Sequence, residues 1–596
     1  MGLTLEQRKI VESIEGHYVI LAGPGCGKTR TIIEKILYLF EKNKIPEPYG
    51  ILAVTFTEAA AYAMRTGLRS RGFKDWDRIR VNTFHSLGAY ILRCYGSDIG
   101  IREDFKIIED DRRLAILNQL IEKYPISTSP SQLDDSFERL KRKGIYPEEG
   151  KGNLLEIQYK IYKEYQDNLR KENYLDFGDL VALAVKLLNK SNFVKRIYTN
   201  FFRYVMVDEF QDTDEQQLEL IRILAENAIG STIVGDDDQS IYCWRGALRE
   251  NVFKIKRLLN STEVVLELNF RSDEIIVDAA SKVIGIDSNR RDKAIKSVSK
   301  ERGHLYKYQF ENPTEEAKFI TDWIINGLKN TVISKLESVV VISRTHDRTI
   351  WLKQEMDKFG IAYFEPYKIH FRISWESKLG LAILEIALNP TSSLALSRLL
   401  TIIEEGGIAY CLGFDDGLDI SRKICDQFKI SDKIDLIPNN VGKILKISGI
   451  WDIIKQTSSS NGDAERRTLN LNKMINDIIS EAETHHLNLE TIIKRFLGYD
   501  AIQIITGHYS KGTEFDVVFF IGLEDDLLPL FSTHGKPDEI AEERRIFYVG
   551  LTRARKIAYL SSVARRPVTH WIKSTIPSRF LRYIPEEFFD EIKFPE

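Results

Sequence analysis

Tyr18-Val-Ile-Leu-Ala22-Gly23-Pro24-Gly25-Cys26-Gly27-Lys28-Thr29-Arg30 is the stretch on which the reading of this chain turns. Its first five residues are an apolar, β-branched run that reads as a buried strand. From Thr29 to Phe40 the apolar residues Ile32, Ile33, Ile36, Leu37 and Phe40 fall on one stripe, which predicts an amphipathic helix. Between strand and helix stand Gly23, Gly25 and Gly27, followed by lysine and threonine, the context of a phosphate-binding loop. Glycines let backbone N–H groups turn inward around phosphate, and the helix N-terminus adds partial positive charge. Lys28 can then reach the β- and γ-phosphates, and the Thr29 hydroxyl can ligate Mg²⁺. Ala22 stands where the strict pattern has its first glycine. The alternative is a glycine-rich strand-to-helix turn without a ligand.

Outward from this loop, Ile51-Leu-Ala-Val-Thr, Tyr204-Val-Met-Val-Asp and Thr232-Ile-Val-Gly-Asp read as further buried strands separated by helical segments. That alternation predicts an α/β fold with a parallel, doubly wound sheet. A second set, Val339-Val-Val-Ile, Asp516-Val-Val-Phe-Phe-Ile-Gly and Ile557-Ala-Tyr-Leu, predicts a second sheet. Residues 89–188 carry amphipathic patterns such as Arg112–Tyr124 and Leu155–Arg170, and 367–500 are again helical in pattern, broken at Asn389-Pro390, Gly406-Gly407 and Ser458-Ser-Ser-Asn-Gly. Each reads as a helical insertion into a sheet domain.

The length of 596 residues suggests about four compact units. Hydrophobic residues at 43% and charged residues at 29% exclude a wholly disordered or disulfide-scaffold chain. The 84 Lys and Arg against 87 Asp and Glu leave a net charge of −3, so any nucleic-acid binding has to be local. Cys26, Cys94, Cys243, Cys411 and Cys425 stand singly, with no metal-ligand spacing. No signal-peptide core and no membrane-spanning run is visible, and the expectation is a cytoplasmic protein without a membrane partner.

Arg203-Tyr-Val-Met-Val-Asp208-Glu209 ends an apolar strand on two adjacent acids. Taken alone, such a pair reads as a solvated turn. With Lys28 expected on the same sheet, Asp208 suits Mg²⁺ and Glu209 suits a general base for an attacking water.

The acids continue into Asp208-Glu-Phe-Gln-Asp-Thr-Asp214 and are followed by Val234-Gly-Asp-Asp-Asp-Gln239-Ser-Ile-Tyr-Cys-Trp244-Arg245-Gly-Ala. Together with Thr55-Phe56-Thr-Glu-Ala-Ala, Asn82-Thr83-Phe84-His85-Ser, Asn269-Phe270-Arg271-Ser, Thr506-Gly-His508-Tyr-Ser-Lys511-Gly-Thr-Glu514-Phe and Glu543-Arg-Arg-Ile-Phe-Tyr-Val-Gly-Leu-Thr-Arg553-Ala, this set resembles the UvrD/Rep/PcrA family of superfamily 1 DNA helicases. The motifs run from Gln7 to Arg553. The resemblance implies two RecA-like motor domains, each with a helical insertion: a first motor at 1–88 and 189–275 with its insertion at 89–188, and a second at 276–366 and 501–596 with its insertion at 367–500. It implies ATP and Mg²⁺ in the cleft between the motors, with residues 22 to 29 on the phosphates and Thr29 and Asp208 on the metal. Gln7 then resembles the adenine reader, Arg30 and Phe270 the pair sandwiching its ring, and Glu514 the ribose contact. Gln239 resembles the γ-phosphate sensor, and Arg271 and Arg553 the two γ-phosphate arginines, a role suited to a guanidinium that stays charged.

By the same resemblance, Phe56 and Trp244 match base-stacking aromatics, and Thr83, His85, Arg245 and His508 match backbone and base contacts. Stacking grips any base at about 1 to 3 kcal/mol each without reading sequence. The implied activity is DNA-stimulated ATP hydrolysis driving 3′ to 5′ movement on single-stranded DNA and duplex unwinding. The implied partners are single-stranded and tailed duplex DNA and repair or replication proteins, and the implied state is a monomer, or a dimer when unwinding. After Arg553 the family continues into a strand-parting hairpin; here Pro567 is expected to interrupt its pairing, with His570 or Trp571 at the tip. Thr513 replaces a usual leucine. The altered hairpin leaves open a DNA-dependent ATPase that strips proteins without processive unwinding. A P-loop kinase or ATP-gated binding module leaves the Trp244 context unexplained, and the stretch after Arg553 is expected to be too short for a nuclease domain.

Overall fold

The computed structural model describes residues 2–287, 290–366, 374–389, 396, 399, 402–403, 437–458, 461–498, 500–568 and 571–591. The chain divides into two compact units, Met1–Arg302 with Gly535–Thr552, and Gly303–His534 with Arg553–Glu596.

In the first unit six strands, β1 (Gly16–Ala22), β2 (Gly50–Thr55), β3 (Ile79–Thr83), β4 (Phe202–Val207), β5 (Gly230–Gly235) and β6 (Thr262–Leu266), form one parallel sheet in the order β3-β2-β4-β5-β1-β6. Side chains alternate between the two faces, as the period of two requires. Val19, Leu21, Leu52, Val54, Val205 and Val207 face one core, while Ile20, Ala22, Ile51, Ala53, Tyr204 and Met206 face the other. Because both faces are covered, the strands read in sequence as continuous apolar runs. The second core receives α2 (Lys28–Glu41) through Ile32, Ile33, Ile36 and Leu37, the stripe expected from the sequence. The helices Asp110–Lys123, Pro130–Lys141 and Glu156–Lys171 of the first insertion build a core of their own around Leu117, Phe137, Tyr162 and Tyr165.

The boundary between units falls at Arg302, later than the expected 275. Residues 290–297 belong to the first unit, where Lys293 is ion-paired to Asp236, Asp237 and Asp238, and Lys296–Ser297 forms a small separate ladder with Leu268–Asn269. The helix Pro537–Leu551 also belongs to the first unit, where Arg545 donates to the Ser240 carbonyl at 2.7 Å.

The second unit carries a second six-stranded parallel sheet: β7 (His304–Phe310), β8 (Val339–Ser343), β9 (Tyr363–Phe364), β10 (Ile502–Thr506), β11 (Phe515–Phe520) and β12 (Ala554–Val563), in the order β7-β12-β11-β8-β10-β9. The helices Trp375–Leu388, Val441–Ile447, Ile450–Thr457, Asn461–His485 and Leu489–Leu497 pack around a separate core. The expected breaks at Pro390 and Gly406-Gly407 lie outside the described residues.

The ribbon after β12 corrects one expectation. β13 (Arg565–Val568) and β14 (Trp571–Ser574) pair antiparallel through Pro567, which stands opposite Ile572. Each strand of a two-stranded ribbon has an open edge, where a residue lacking an N–H is tolerated. His570 and the Trp571 side chain lie outside the described residues. Among the described residues no helix is long and apolar enough to cross a membrane.

Candidate functional site

The carboxyl ends of the parallel strands in the first unit collect the candidate residues, the edge at which open α/β sheets bind ligands. After β1 the loop turns on Gly25 and Gly27, at φ of +69° and +77°. A Cβ on Gly25 would fall 2.7 Å from Arg271 Cβ and 2.9 Å from Asn269 Oδ1, so this approach requires glycine. Ala22, in contrast, is still strand, where extended backbone accepts any side chain, and the departure from the strict pattern is structurally neutral. Gly27 is the N-cap of α2 and supplies no side-chain cap, so the first-turn N–H groups are left for an anion. Lys28 is buried, its Nζ accepted by no hydrogen-bond partner and 3.4 Å from Glu209 Oε1. A buried, unsatisfied ammonium above uncapped amides fits a polyphosphate.

β4 delivers the acid pair. The Thr29 hydroxyl donates to Asp208 Oδ2 at 2.5 Å, which places two oxygen donors of the kind Mg²⁺ takes side by side. Burial, and after it the neighbouring Glu209 carboxylate, push Asp208 up to about 6 against the opposing effects of the Thr29 hydroxyl and the Lys28 ammonium. Glu209 sits at φ +54°, a left-handed conformation uncommon outside glycine, as the chain leaves the strand. These residues fit a nucleotide with its divalent metal.

The loop after β5 continues the site. Gln239 Nε2 donates to Asp236 Oδ2 at 2.7 Å. Gln211, to which the sequence had assigned no role, joins the two acidic segments: its Nε2 donates to Glu209 and its Oε1 accepts from the Asp236 N–H at 2.8 Å. Asn269 likewise ties the segment after β6 to the loop, donating to the Pro24 carbonyl at 2.8 Å, while the Phe270 N–H donates to the Gly25 carbonyl at 2.9 Å. Asn269 Oδ1 accepts from the Arg271 N–H, and Arg271 Nη1 reaches the Thr552 carbonyl at 3.4 Å. Gln7, on α1 (Leu5–Glu12), donates from Nε2 to the Cys26 carbonyl at 3.1 Å. Arg30 lies on the first turn of α2, 3.9 Å from Glu34.

On the same loop, five residues beyond Gln239, stands an aromatic turn. Trp244 is 58% exposed, with the Arg245 guanidinium 4.7 Å from its ring centroid and 5.7 Å from that of Tyr242. Phe56, at the end of β2, stacks on Tyr242 with centroids 5.5 Å apart. Arg142 donates to the Arg245 carbonyl, and Glu542 accepts from the Cys243 N–H at 3.0 Å, so the turn is held from two sides. His85 packs edge-on to Phe177, itself half exposed, at 5.7 Å. Burial, and next the charges of Arg142 and Arg245, push His85 down to about 4. Thr83 is buried as the N-cap of the helix Phe84–Tyr95 and donates to Glu58 at 2.9 Å. Tyr242 and Phe177 had no assigned role; Tyr242 lies inside a quoted motif, whereas nothing local in the sequence singles out Phe177.

In the second unit His508 lies in the turn after β10, and Glu514, just before β11, is ion-paired with Arg555. Arg553 is 1% exposed and donates to the Thr513 carbonyl at 3.1 Å, which excludes an ordinary surface arginine.

A P-loop at an interior strand, an acid pair on a strand two places away, and an exposed aromatic turn after the strand between them define a nucleotide-driven motor of the helicase class. The chain matches the UvrD/REP helicase N-terminal domain over residues 3–260 and the UvrD-like helicase C-terminal domain over 264–407 and 417–565. It is similar to the DNA helicase II of Haemophilus influenzae, at 28% identity over 99% of this chain and 88% of that protein, and to the ATP-dependent DNA helicase PcrA of Bacillus subtilis, at 28% over 99% and 87%. The PcrA of Staphylococcus epidermidis is 27% identical over the same shares of the two chains. The chain therefore belongs to the UvrD-like helicase family.

Proposed function

We propose that this protein couples ATP hydrolysis to 3′ to 5′ movement on single-stranded DNA and to unwinding of the duplex ahead. The observation that carries this reading is the single loop after β5, which holds Gln239 in the hydrogen-bonded network of Glu209 and, five residues on, presents Trp244 to solvent. A shift of that loop with nucleotide state would be felt directly by a base stacked on Trp244. The polarity rests on family membership.

When bound, Mg²⁺ held by Thr29 and Asp208 supplies positive charge against the phosphate oxygens. Lys28 now lies against Glu209, and phosphates that draw it away leave Glu209 to orient a water and accept its proton as the water oxygen bonds to the γ-phosphorus, the bond from that phosphorus to the β–γ bridging oxygen breaks, and ADP leaves with the bridging oxygen. Gln239 is assigned to sense the γ-phosphate, and Arg271 and Arg553 to stabilise charge on the transferring group. Gln7, Arg30, Phe270 and Glu514 are assigned to the nucleoside; Glu514 would have to exchange its pairing with Arg555. Phe56, Trp244 and the added aromatics Tyr242 and Phe177 offer stacking faces, while Thr83, His85, Arg245 and His508 are assigned to the rest of the strand.

A second reading is removal of proteins from DNA without processive unwinding. ATP hydrolysis measured with single-stranded DNA, RNA, and duplexes tailed at either end tests both. The expected result is strong stimulation by single-stranded DNA and strand parting from a 3′ tail. No stimulation would sink the motor reading, and movement without strand parting would select the second.

A further inference from the structure

Lys293 takes no part in the reaction as assigned above, yet it sits among three buried carboxylates. Its side chain is fully buried, with Nζ 2.6 Å from Asp236 Oδ1, 2.5 Å from Asp237 Oδ1 and 2.9 Å from Asp238 Oδ2. The three carboxylates stand close enough together to hold a metal ion, and the ammonium fills that position instead. Arg290 pairs with Asp238 at 2.8 Å, and Arg249 bridges Asp237 and Asp287, each at 3.1 Å. Arg545 reaches Asp287 at 3.4 Å. Four carboxylates thus meet four cations.

Within this cluster Asp236 is the member that touches the hydrolytic residues. One of its oxygens is held by Lys293 while the other accepts from Gln239 Nε2 at 2.7 Å, and its N–H donates to Gln211, which in turn donates to Glu209. Without a cation at this point Asp236, Asp237 and Asp238 would repel one another, and the Asp236 Oδ1 would keep only the Asp238 N–H, at 3.2 Å, losing its shorter, charged anchor. We propose that Lys293 is a positioning residue for hydrolysis: by clamping Asp236 it engages one N–H of Gln239 Nε2 and thereby directs the other, the one able to donate to a γ-phosphate oxygen. The inference rests on the assignment of Gln239 as γ-phosphate sensor. It adds a lysine from the segment after the Asn-Phe-Arg-Ser motif, outside every motif quoted above.

A purely structural lysine and a positioning lysine differ in a double-variant cycle. Lys293→Met, Gln239→Ala and the double variant are compared for kcat and KM of DNA-stimulated ATP hydrolysis and for affinity toward a fluorescent ADP analogue, with thermal midpoints recorded. Lys293→Met is expected to lower kcat about tenfold or more while ADP affinity stays within about twofold, and the double variant is expected to be no slower than Gln239→Ala. Losses that multiply in the double variant, or an unchanged kcat in Lys293→Met, would overturn the role of Lys293. An unchanged kcat in Gln239→Ala would instead remove the sensor assignment itself, and the present proposal with it. If Lys293→Met fails to fold, the same cycle is run with Lys293→Met/Asp237→Asn, which keeps the charges balanced.

Discussion

His85 shows how burial changes what a residue has to offer. By motif it is a strand contact, and an exposed histidine near a phosphate backbone would be read as a cation. Burial and the adjacent guanidinium groups of Arg142 and Arg245 hold it down to about 4, so at neutral pH the ring is uncharged and offers an aromatic edge and a neutral N–H. A histidine with its folded value below the ordinary 6.5 contributes stability that is complete above pH 6.5 and is lost as pH falls toward 4, because only the unfolded chain takes up the proton. Urea unfolding of the wild type between pH 7 and pH 5 should therefore lose more stability than the His85→Gln variant, by up to about 1.4 kcal/mol per pH unit. Equal losses would show that His85 titrates normally. Asp208 is shifted in the opposite sense: its folded value is raised, so stability is lost as pH rises through the interval from the ordinary carboxylate value to about 6, where only the unfolded chain is ionised. Neither shift is legible in the sequence, since both rest first on burial, and that of His85 next on guanidinium groups 57 and 160 residues away.

At the scale of elements, local chemistry decided the phosphate loop and the tertiary setting decided the ribbon. Gly25 and Gly27 are required by positive φ and by the close approach of Asn269 and Gln7, whereas Ala22 is harmless because its backbone is still extended. The ribbon departs from what Pro567 suggested because its base is anchored from below. Arg566 is buried and donates through Nε and Nη2 to Glu524 at 2.9 and 2.8 Å, and Lys573 of β14 meets Asp526 at 2.7 Å. Removing one partner of such a buried pair leaves the other charge uncompensated, at a loss of about 3 to 5 kcal/mol. Glu524→Ala should accordingly lower the stability of the protein by that order, and Glu524→Met/Arg566→Met should restore much of it. A double variant as unstable as the single would show that the pair does not act as an ion pair. Calorimetry on the two variants gives the comparison.

For the whole molecule, a net charge of −3 sits beside the aromatic turn, with Arg245 in it, that is proposed to hold the strand. Stacking is insensitive to salt, and each phosphate neutralised on a single strand adds about −0.7 to the slope of log K against log salt. Binding of single-stranded DNA, followed by fluorescence anisotropy, should then show a slope shallower than about −3; a slope near −6 would mean that cations, not rings, hold the strand. The sequence by itself determined the α/β class, the strands and helix around Lys28 and the two helical insertions, because each is written in local periodicity or in turn chemistry within a dozen positions, while the further motif residues were legible only through resemblance to a family. Only the tertiary structure decided that Tyr242 backs Phe56, that Phe177 flanks His85, that Gln211 joins Glu209 to Asp236, that Lys293 fills an aspartate cluster, and that Gly535–Thr552 belongs to the first unit. Those facts depend on distances between segments far apart in the chain, and such distances are set by how strands order themselves in a sheet, which no local pattern records.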